Sequence, residues 1–191
     1  ARLKPLPALV AGDLILDHYA WGSVDRLSPE APIQILKLER DDSRLGGAGN
    51  VAANLAALGA RTALVGRVGR DPEGRTLLRL AREAGLSPGL VEDPAAPTTL
   101  KTRFLAQGHQ ILRVDRERSA PSLPQVSRKL LSRMRGALPR AGLLVLSDYA
   151  KGALDAASIR SLLREARRRG LTVVAGPKRD LERYRGATAL S

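Results

Sequence analysis

Cysteine is absent from the 191 residues, which excludes disulfides and thiolate metal sites and fits a reducing cytoplasm. Aromatic side chains are scarce: Tyr19, Trp21, Phe104, Tyr149 and Tyr184 are the whole set. That is too few for the stacking platforms that grip single-stranded nucleic acid, so a nucleic-acid partner is not expected. His18 and His109 are the only histidines, far apart and without nearby partners, so neither a metal site nor a histidine-based triad is read from them. His109 falls in a turn signal and is expected to be exposed. No apolar stretch is long enough to span a bilayer, and Ala1 to Pro5 lack the apolar run of a signal peptide, so no membrane partner is expected. The Gly-x-x-x-x-Gly-Lys-Ser/Thr pattern is missing, which excludes a P-loop. Acidic residues are outnumbered, 19 against 32 lysines and arginines, leaving a net charge of +13 that favours anionic partners such as phosphates or nucleotides. Much of that charge lies in Arg128 to Arg140 and Arg160 to Arg169. Both segments carry leucines at core spacing and are read as amphipathic helices with a solvated arginine face.

What is present alternates. Ala8 to Gly12, Ala63 to Val65, Leu143 to Leu146 and Leu171 to Val174 are short apolar runs that predict buried strands. Between them, helices are predicted over Val51–Leu58, Gly74–Ala84, Ser122–Leu138 and Ala156–Arg169, the stops being Gly59, Gly85 and Gly170 where glycine follows. Alternating buried strands and helices imply a parallel sheet covered on both faces. Two regions break the pattern. Ile33 to Glu39 alternates apolar and polar residues, and Thr98–Leu105 and Ile111–Arg116 read as two strands joined at Gln107-Gly108-His109. These are expected to form a small accessory sheet. Thr188 to Ser191 reads as the beginning of one more strand. A chain of this length buries roughly 70% of its unfolded surface, enough for one domain with a real core.

Open α/β sheets bind ligands beyond the carboxyl ends of their strands. Asp13 and Asp17 follow the first strand, and Gly46-Gly47-Ala48-Gly49-Asn50 forms a bend before a helix. Ser147-Asp148-Tyr149-Ala150-Lys151-Gly152 follows the third buried strand, and Gly176-Pro177-Lys178 the fourth. Carboxylates and an asparagine amide suit the directed hydrogen bonds of a polyhydroxylated sugar. Lysine and arginine suit a phosphate. Both kinds at one sheet edge suggest a sugar phosphate. The local chemistry leaves other readings open: Asp13 as a turn former, Asp17 as a surface group, Asn50 as a helix N-cap, Lys151 and Lys178 as solvated cations.

Three runs, Gly12-Asp13-Leu14-Ile15-Leu16-Asp17, Ser28-Pro29-Glu30-Ala31-Pro32 and Gly46-Gly47-Ala48-Gly49-Asn50-Val51-Ala52, resemble the ribokinase-like (PfkB) carbohydrate kinases. Within that family the resemblance is strongest to the bacterial D-glycero-β-D-manno-heptose 7-phosphate kinases of ADP-heptose synthesis. Leu112-Arg113-Val114-Asp115-Arg116-Glu117, Leu146 to Gly152, Pro177-Lys178 and Glu182 to Thr188 add to it, so that nearly the whole chain is covered. The Ser-Pro-Glu-Ala-Pro and Ser-Asp-Tyr-Ala-Lys-Gly runs are specific to the heptose group; the Gly-Gly bend marks only the superfamily. The resemblance implies a three-layer α/β/α sandwich with a β-sheet lid, the lid segments being about 18–45 and 98–117, and a homodimer paired through that lid. It implies that Asp13, Asp17, Gly46, Gly47 and Asn50 line the sugar site, that Lys101, Arg103, Lys151 and Lys178 are candidates for the sugar's phosphate, and that Arg113 and Asp148 join the substrate-binding set. The implied reaction moves the γ-phosphate of ATP onto the anomeric hydroxyl of the sugar phosphate, with Mg²⁺ and a catalytic aspartate, in the synthesis of a lipopolysaccharide precursor.

The chain departs from the family pattern twice. Asp-Pro-Lys reads Gly176-Pro177-Lys178 here. The Asn-x-x-Glu element that organises magnesium and the Gly-x-Gly-Asp segment that carries the base do not occur in these residues. The expectation is an N-terminal, sugar-binding part of the domain over residues 1–191, truncated on its C-terminal side, with no catalytic or metal-ligating residue of its own and no phosphate transfer by itself. Alternative readings are a kinase of another sugar or nucleoside, and a non-catalytic protein that keeps a sugar-phosphate pocket.

Overall fold

The computed structural model describes residues 6–191; Ala1 to Pro5 lie outside the described residues. In chain order the elements are β1 (Pro7–Leu27), β2 (Gln34–Gly47), α1 (Ala48–Ala57), β3 (Arg61–Gly69), α2 (Pro72–Glu83), β4 (Ser87–Pro88), β5 (Val91–Asp93), β6 (Thr99–Ala106), β7 (His109–Arg116), α3 (Pro124–Ala137), β8 (Leu143–Asp148), α4 (Ala156–Arg168), β9 (Thr172–Pro177) and β10 (Ala189–Leu190), with 3-10 turns at Leu138–Arg140 and Leu181–Tyr184. The main sheet runs β10-β9-β8-β1-β3-β4, and all its pairings are parallel.

Each central strand is apolar on both sides because each side meets a helix layer. Leu9, Ala11, Leu144, Leu146, Val173 and Ala175 pack with α3 and α4 residues such as Leu130, Met134, Ile159 and Leu162. The alternate positions Val10, Leu64 and Val145 pack with Ala48, Ala52, Leu77 and Ala81 of α1 and α2. In α4 the spacing of Ile159, Leu162, Leu163 and Ala166 puts the apolar stripe inward, while Arg160, Arg164, Arg167 and Arg168 remain exposed. Leu162 is fully buried, so Leu162→Ala is expected to cost about 3 kcal/mol. Two helices start on side-chain caps: Asp71 accepts from the Gly74 N–H at 2.8 Å, and Asp155 from the Ser158 N–H at 2.7 Å.

β1 is the element that creates the site, and the sequence reading ended it too early. It runs past Gly12 instead of stopping there. A Cβ at Gly12 would lie 1.9 Å from the Ser147 carbonyl oxygen, so this glycine allows β8 to approach and does not make a turn. Up to Asp13, β1 pairs with β3; from Leu14 on it pairs antiparallel with β2 and, from Ile15, parallel with β6. β7 pairs antiparallel with β6. One strand therefore serves both the main sheet and a lid of order β2-β1-β6-β7.

Candidate functional site

The site forms where β1 leaves the main sheet for the lid. Asp13 lies at that junction, opposite Arg67 in the β1–β3 register. Its carboxylate is 2% exposed and accepts three backbone N–H groups: Tyr149 at 2.8 Å, Lys151 at 2.9 Å and Ala153 at 2.9 Å. Burial pushes its pKa above the ordinary carboxylate value, with the neighbouring Asp148 charge acting the same way against the lowering effect of the N–H groups. The Arg67 guanidinium faces the same loop from the other side. It donates to the Lys151 carbonyl, to Asp93 at 3.2 Å, to Ser122 at 3.3 Å and to the Ala120 carbonyl at 3.4 Å. Asp13 and Arg67 thus fix the 148–153 loop by its donors and its acceptor. Asp148 anchors the start of that loop, accepting the Tyr184 hydroxyl at 2.5 Å and the Ala150 N–H at 2.7 Å. Tyr184 is buried, and burial followed by the Asp148 contact raises its pKa.

Beside this rigid base lies a half-exposed chain of charges. Asp17 pairs with Arg103 at 2.5 Å, and Arg103 lies 5.1 Å from the Tyr19 ring. Lys101 reaches Asp115 at 2.8 Å and Glu117 at 3.6 Å; Arg113 reaches Asp115 at 3.0 Å. Lys151 contacts Glu117 at 2.5 Å and Ser119 at 3.0 Å. Lys101 and Lys151 hold the Asp115 and Glu117 carboxyls below their ordinary values.

Gly46 and Gly47 close the end of β2 against β1. A Cβ on Gly46 would come 2.2 Å from an Asp17 carboxylate oxygen, and one on Gly47 would come 2.4 Å from the Asp13 carbonyl oxygen. Gly47, at φ 56°, occupies the left-handed region and acts as the N-cap of α1 without a side-chain bond. The helix therefore opens at Ala48, three residues before the expected Val51. The reading of Asn50 as N-cap is corrected: Asn50 sits exposed in the first turn.

The structure joins Lys101, Arg113 and Lys151 through Asp115 and Glu117, and sets the Asp17–Arg103 pair next to Lys101 across the β1–β6 register, with Gly46 and Gly47 against Asp17 and Asp13. Lys178 stands apart. It is exposed, donates its backbone N–H to the Asp148 carbonyl, and lines a hollow of about 630 Å³ between α1 and the β8–β9 edge. Among the described residues no ion pair joins it to the network. Another hollow, of about 550 Å³, lies at the opposite, amino-terminal end of the strands near Arg61, Ser87 and Arg133, away from these groups. Sequence pattern alone does not single out Arg67 or Ser119, and Glu117 stands out only as the end of the run Leu112 to Glu117. The available signal for Arg67 was a lone cation in the apolar run Ala63–Val68. His109 is exposed, and His18 binds Ser43 at 3.0 Å. No group of three or more carboxylate or imidazole side chains is arranged to hold a metal among the described residues. Asp13 and Asp148 have their oxygens occupied by N–H and O–H donors, so these residues do not fit a magnesium site.

A parallel sheet covered by helices, one strand of which continues into a β lid, is the ribokinase-like fold. The family described as pfkB family carbohydrate kinase matches residues 11–184, and the chain belongs to it. The chain is 45% identical over its whole length to the bifunctional protein HldE of Paramagnetospirillum magneticum, covering 39% of that protein. It is 47% identical to HldE of Caulobacter vibrioides over 95% of its length, covering 38% of that protein. The chain thus spans well under half the length of these relatives. Phosphofructokinase-2 from Escherichia coli, solved in complex with potassium, shares the fold at a TM-score of 0.68 and 20% identity, over 95% of this chain and 57% of that one. A carbohydrate kinase from Agrobacterium tumefaciens does so at 0.67 and 21%, over 90% and 53%.

Proposed function

We propose that these residues form the sugar-binding part of an ATP-dependent kinase that phosphorylates the anomeric hydroxyl of a heptose 7-phosphate, in the synthesis of ADP-heptose for lipopolysaccharide. The carrying observation is the junction itself. Asp17, whose carboxylate lies where a Gly46 side chain would stand, supplies acceptor oxygens for hydroxyls; Lys101, its register partner on β6, and Lys151 converge on Glu117 as phosphate-type cations. The identity of 45–47% to the HldE proteins, together with the heptose-type runs Ser28 to Pro32 and Ser147 to Gly152, supports the heptose assignment. The work of this part is positioning and charge neutralisation. Asp17 orients sugar hydroxyls, the clamped loop presents Lys151, and Lys101 and Arg103 reach in from β6. ATP and Mg²⁺ enter this reading through the family. The acidic groups at the junction are engaged by cations, backbone or Tyr184, so we assign the base to protein outside these residues. The 191 residues alone are expected not to transfer phosphate, and measurable ATP-dependent phosphorylation by them would sink that assignment.

In the full-length natural protein, release of ADP dependent on D-glycero-D-manno-heptose 7-phosphate tests the whole reading. Turnover on other sugars or nucleosides, and none on the heptose ester, would move the substrate elsewhere. One observation favours a second reading, a binding protein without turnover: Gly176 replaces the family's aspartate at the end of β9. Calorimetric binding of the sugar phosphate without any ATP turnover would establish it.

A homodimer paired through the lid belongs to the same proposal. β7 is an edge strand that exposes Ile111, Leu112 and Val114, and an edge of this kind invites pairing with a second copy. Sedimentation of the full-length protein as a monomer at all accessible concentrations would remove it. No helix among the described residues is long and apolar enough to cross a membrane.

A further inference from the structure

Just beyond β7 the chain places a carboxylate between two ammonium groups. Glu117 Oε1 lies 2.5 Å from Lys151 Nζ, and its Oε2 lies 3.6 Å from Lys101 Nζ. Ser119 Oγ, two residues on, is 3.0 Å from the same Lys151 nitrogen. The two lysines come from different layers, Lys101 from the lid and Lys151 from the loop beyond the main sheet.

The two sides of this contact are held very differently. Lys151 is 8% exposed, and its backbone is fixed at the N–H by Asp13 and at the carbonyl by Arg67. Glu117 belongs to the irregular stretch between β7 and α3, and its side chain is 26% exposed. The cation is built into the frame, while the anion is a side chain held, among the described residues, by the two lysines alone. Two convergent ammonium groups and a hydroxyl form the set that recognises a phosphate ester. Here a side-chain carboxylate fills it.

We propose that Glu117 is a displaceable internal stand-in for the ligand's phosphate: it neutralises Lys101 and Lys151 in the free protein, and the phosphate monoester of the sugar replaces it there. The proposal rests on the sugar-phosphate reading of this site and adds how its cations are held when no ligand is bound. A glutamate is charged at neutral pH, and the Lys151 contact favours that charged form, so the competitor carries its charge when the ligand arrives. A phosphate dianion brings more charge and three acceptor oxygens, enough to win the lysines from a carboxylate. A sugar hydroxyl brings neither. Glu117 therefore lowers the affinity for any ligand that needs the two lysines, and keeps them neutralised until a phosphate takes its place.

The test is the affinity of the full-length natural protein for inorganic phosphate at fixed ionic strength, followed by phosphorus NMR or calorimetry. If Glu117 occupies the lysines about nine-tenths of the time, removing it raises the apparent phosphate affinity about tenfold. Glu117→Gln is expected to show that gain, and Glu117→Ala must show it too. Adding Lys151→Met to Glu117→Gln is expected to abolish it. Unchanged or weaker phosphate binding in both single variants overturns the proposal, as does a gain that survives loss of Lys151. The probe needs no turnover. Tighter phosphate binding in a protein that never phosphorylates the heptose ester would refute the kinase reading and support this one; an active heptose kinase whose variants bind phosphate as before would overturn this one alone.

Discussion

The clamp under the 148–153 loop and the charge network of the lid use the same residue types to opposite ends. Asp13 and Arg67 are 2% and 9% exposed, and their polar atoms are spent on backbone groups or other buried partners. Asp17 and Arg103 have side chains 20% and 24% exposed, and they face each other across the lid. A buried charge whose partners are fixed cannot be released without leaving an unpaired group, so it acts as an anchor. A half-exposed pair loses little when broken, because water replaces the partner, so it is free to exchange that partner for a ligand. Burial, more than residue identity, separates the frame from the proposed binding surface.

The comparison breaks first at Asp13. Asp13→Ala leaves three backbone N–H groups without their acceptor and is expected to cost about 4 kcal/mol in denaturant unfolding; a loss below about 1 kcal/mol would mean that the loop holds itself. Next comes Arg67→Met, which strands Asp93 in the interior and is expected to cost about 3 kcal/mol by the same measurement. Gly46→Ala drives a Cβ into the Asp17 carboxylate; a stability loss of about 1 kcal/mol is expected, with sugar-phosphate KM raised on the order of tenfold. Arg103→Ala should change stability by only about 0.5 kcal/mol while weakening sugar-phosphate binding, and an equal fall in both would erase the distinction between frame and surface.

The smallest effect is in pH, where the two regions differ in sign. Folding raises the Asp13 pKa, so its contribution favours the fold at low pH and declines as pH rises through the folded value. Folding lowers those of Asp115 and Glu117, whose contributions are complete above their unfolded values and vanish as pH falls through the folded ones. Carboxyl carbon NMR titrations of the three groups should show Asp13 above its ordinary value and the other two below theirs.

The layer architecture was legible because the apolar runs of the central strands and the 3.6-residue stripes of α3 and α4 each obey one period. The helix stops were legible too: Gly59, Gly85 and Gly170 all adopt positive φ. Gly12 misled because a glycine that admits a neighbouring backbone looks, in one dimension, like a glycine that ends a strand. Asn50 misled because Gly47 makes the turn itself and starts α1 earlier than any side-chain cap would signal. The candidate site was visible as a set of polar residues at strand ends, but not as two groups with different roles. Nothing local distinguishes Asp13 from Asp17. Their difference comes from residues 136 to 140 positions away, which supply the N–H groups that close over Asp13. Arg67 was hidden for the same reason, its partners being Asp93, Ala120, Ser122 and Lys151.

The lid–sheet junction is proposed to receive a phosphorylated sugar. Calorimetric titration of the full-length natural protein with heptose 7-phosphate, and with the same heptose lacking its phosphate, tests it most directly. At least a tenfold preference for the ester is expected, on the order of 1.4 kcal/mol from the charge-assisted contacts to Lys101 and Lys151, and it should disappear in Lys151→Met. Equal affinity for the two sugars, or a preference untouched by that substitution, would contradict it.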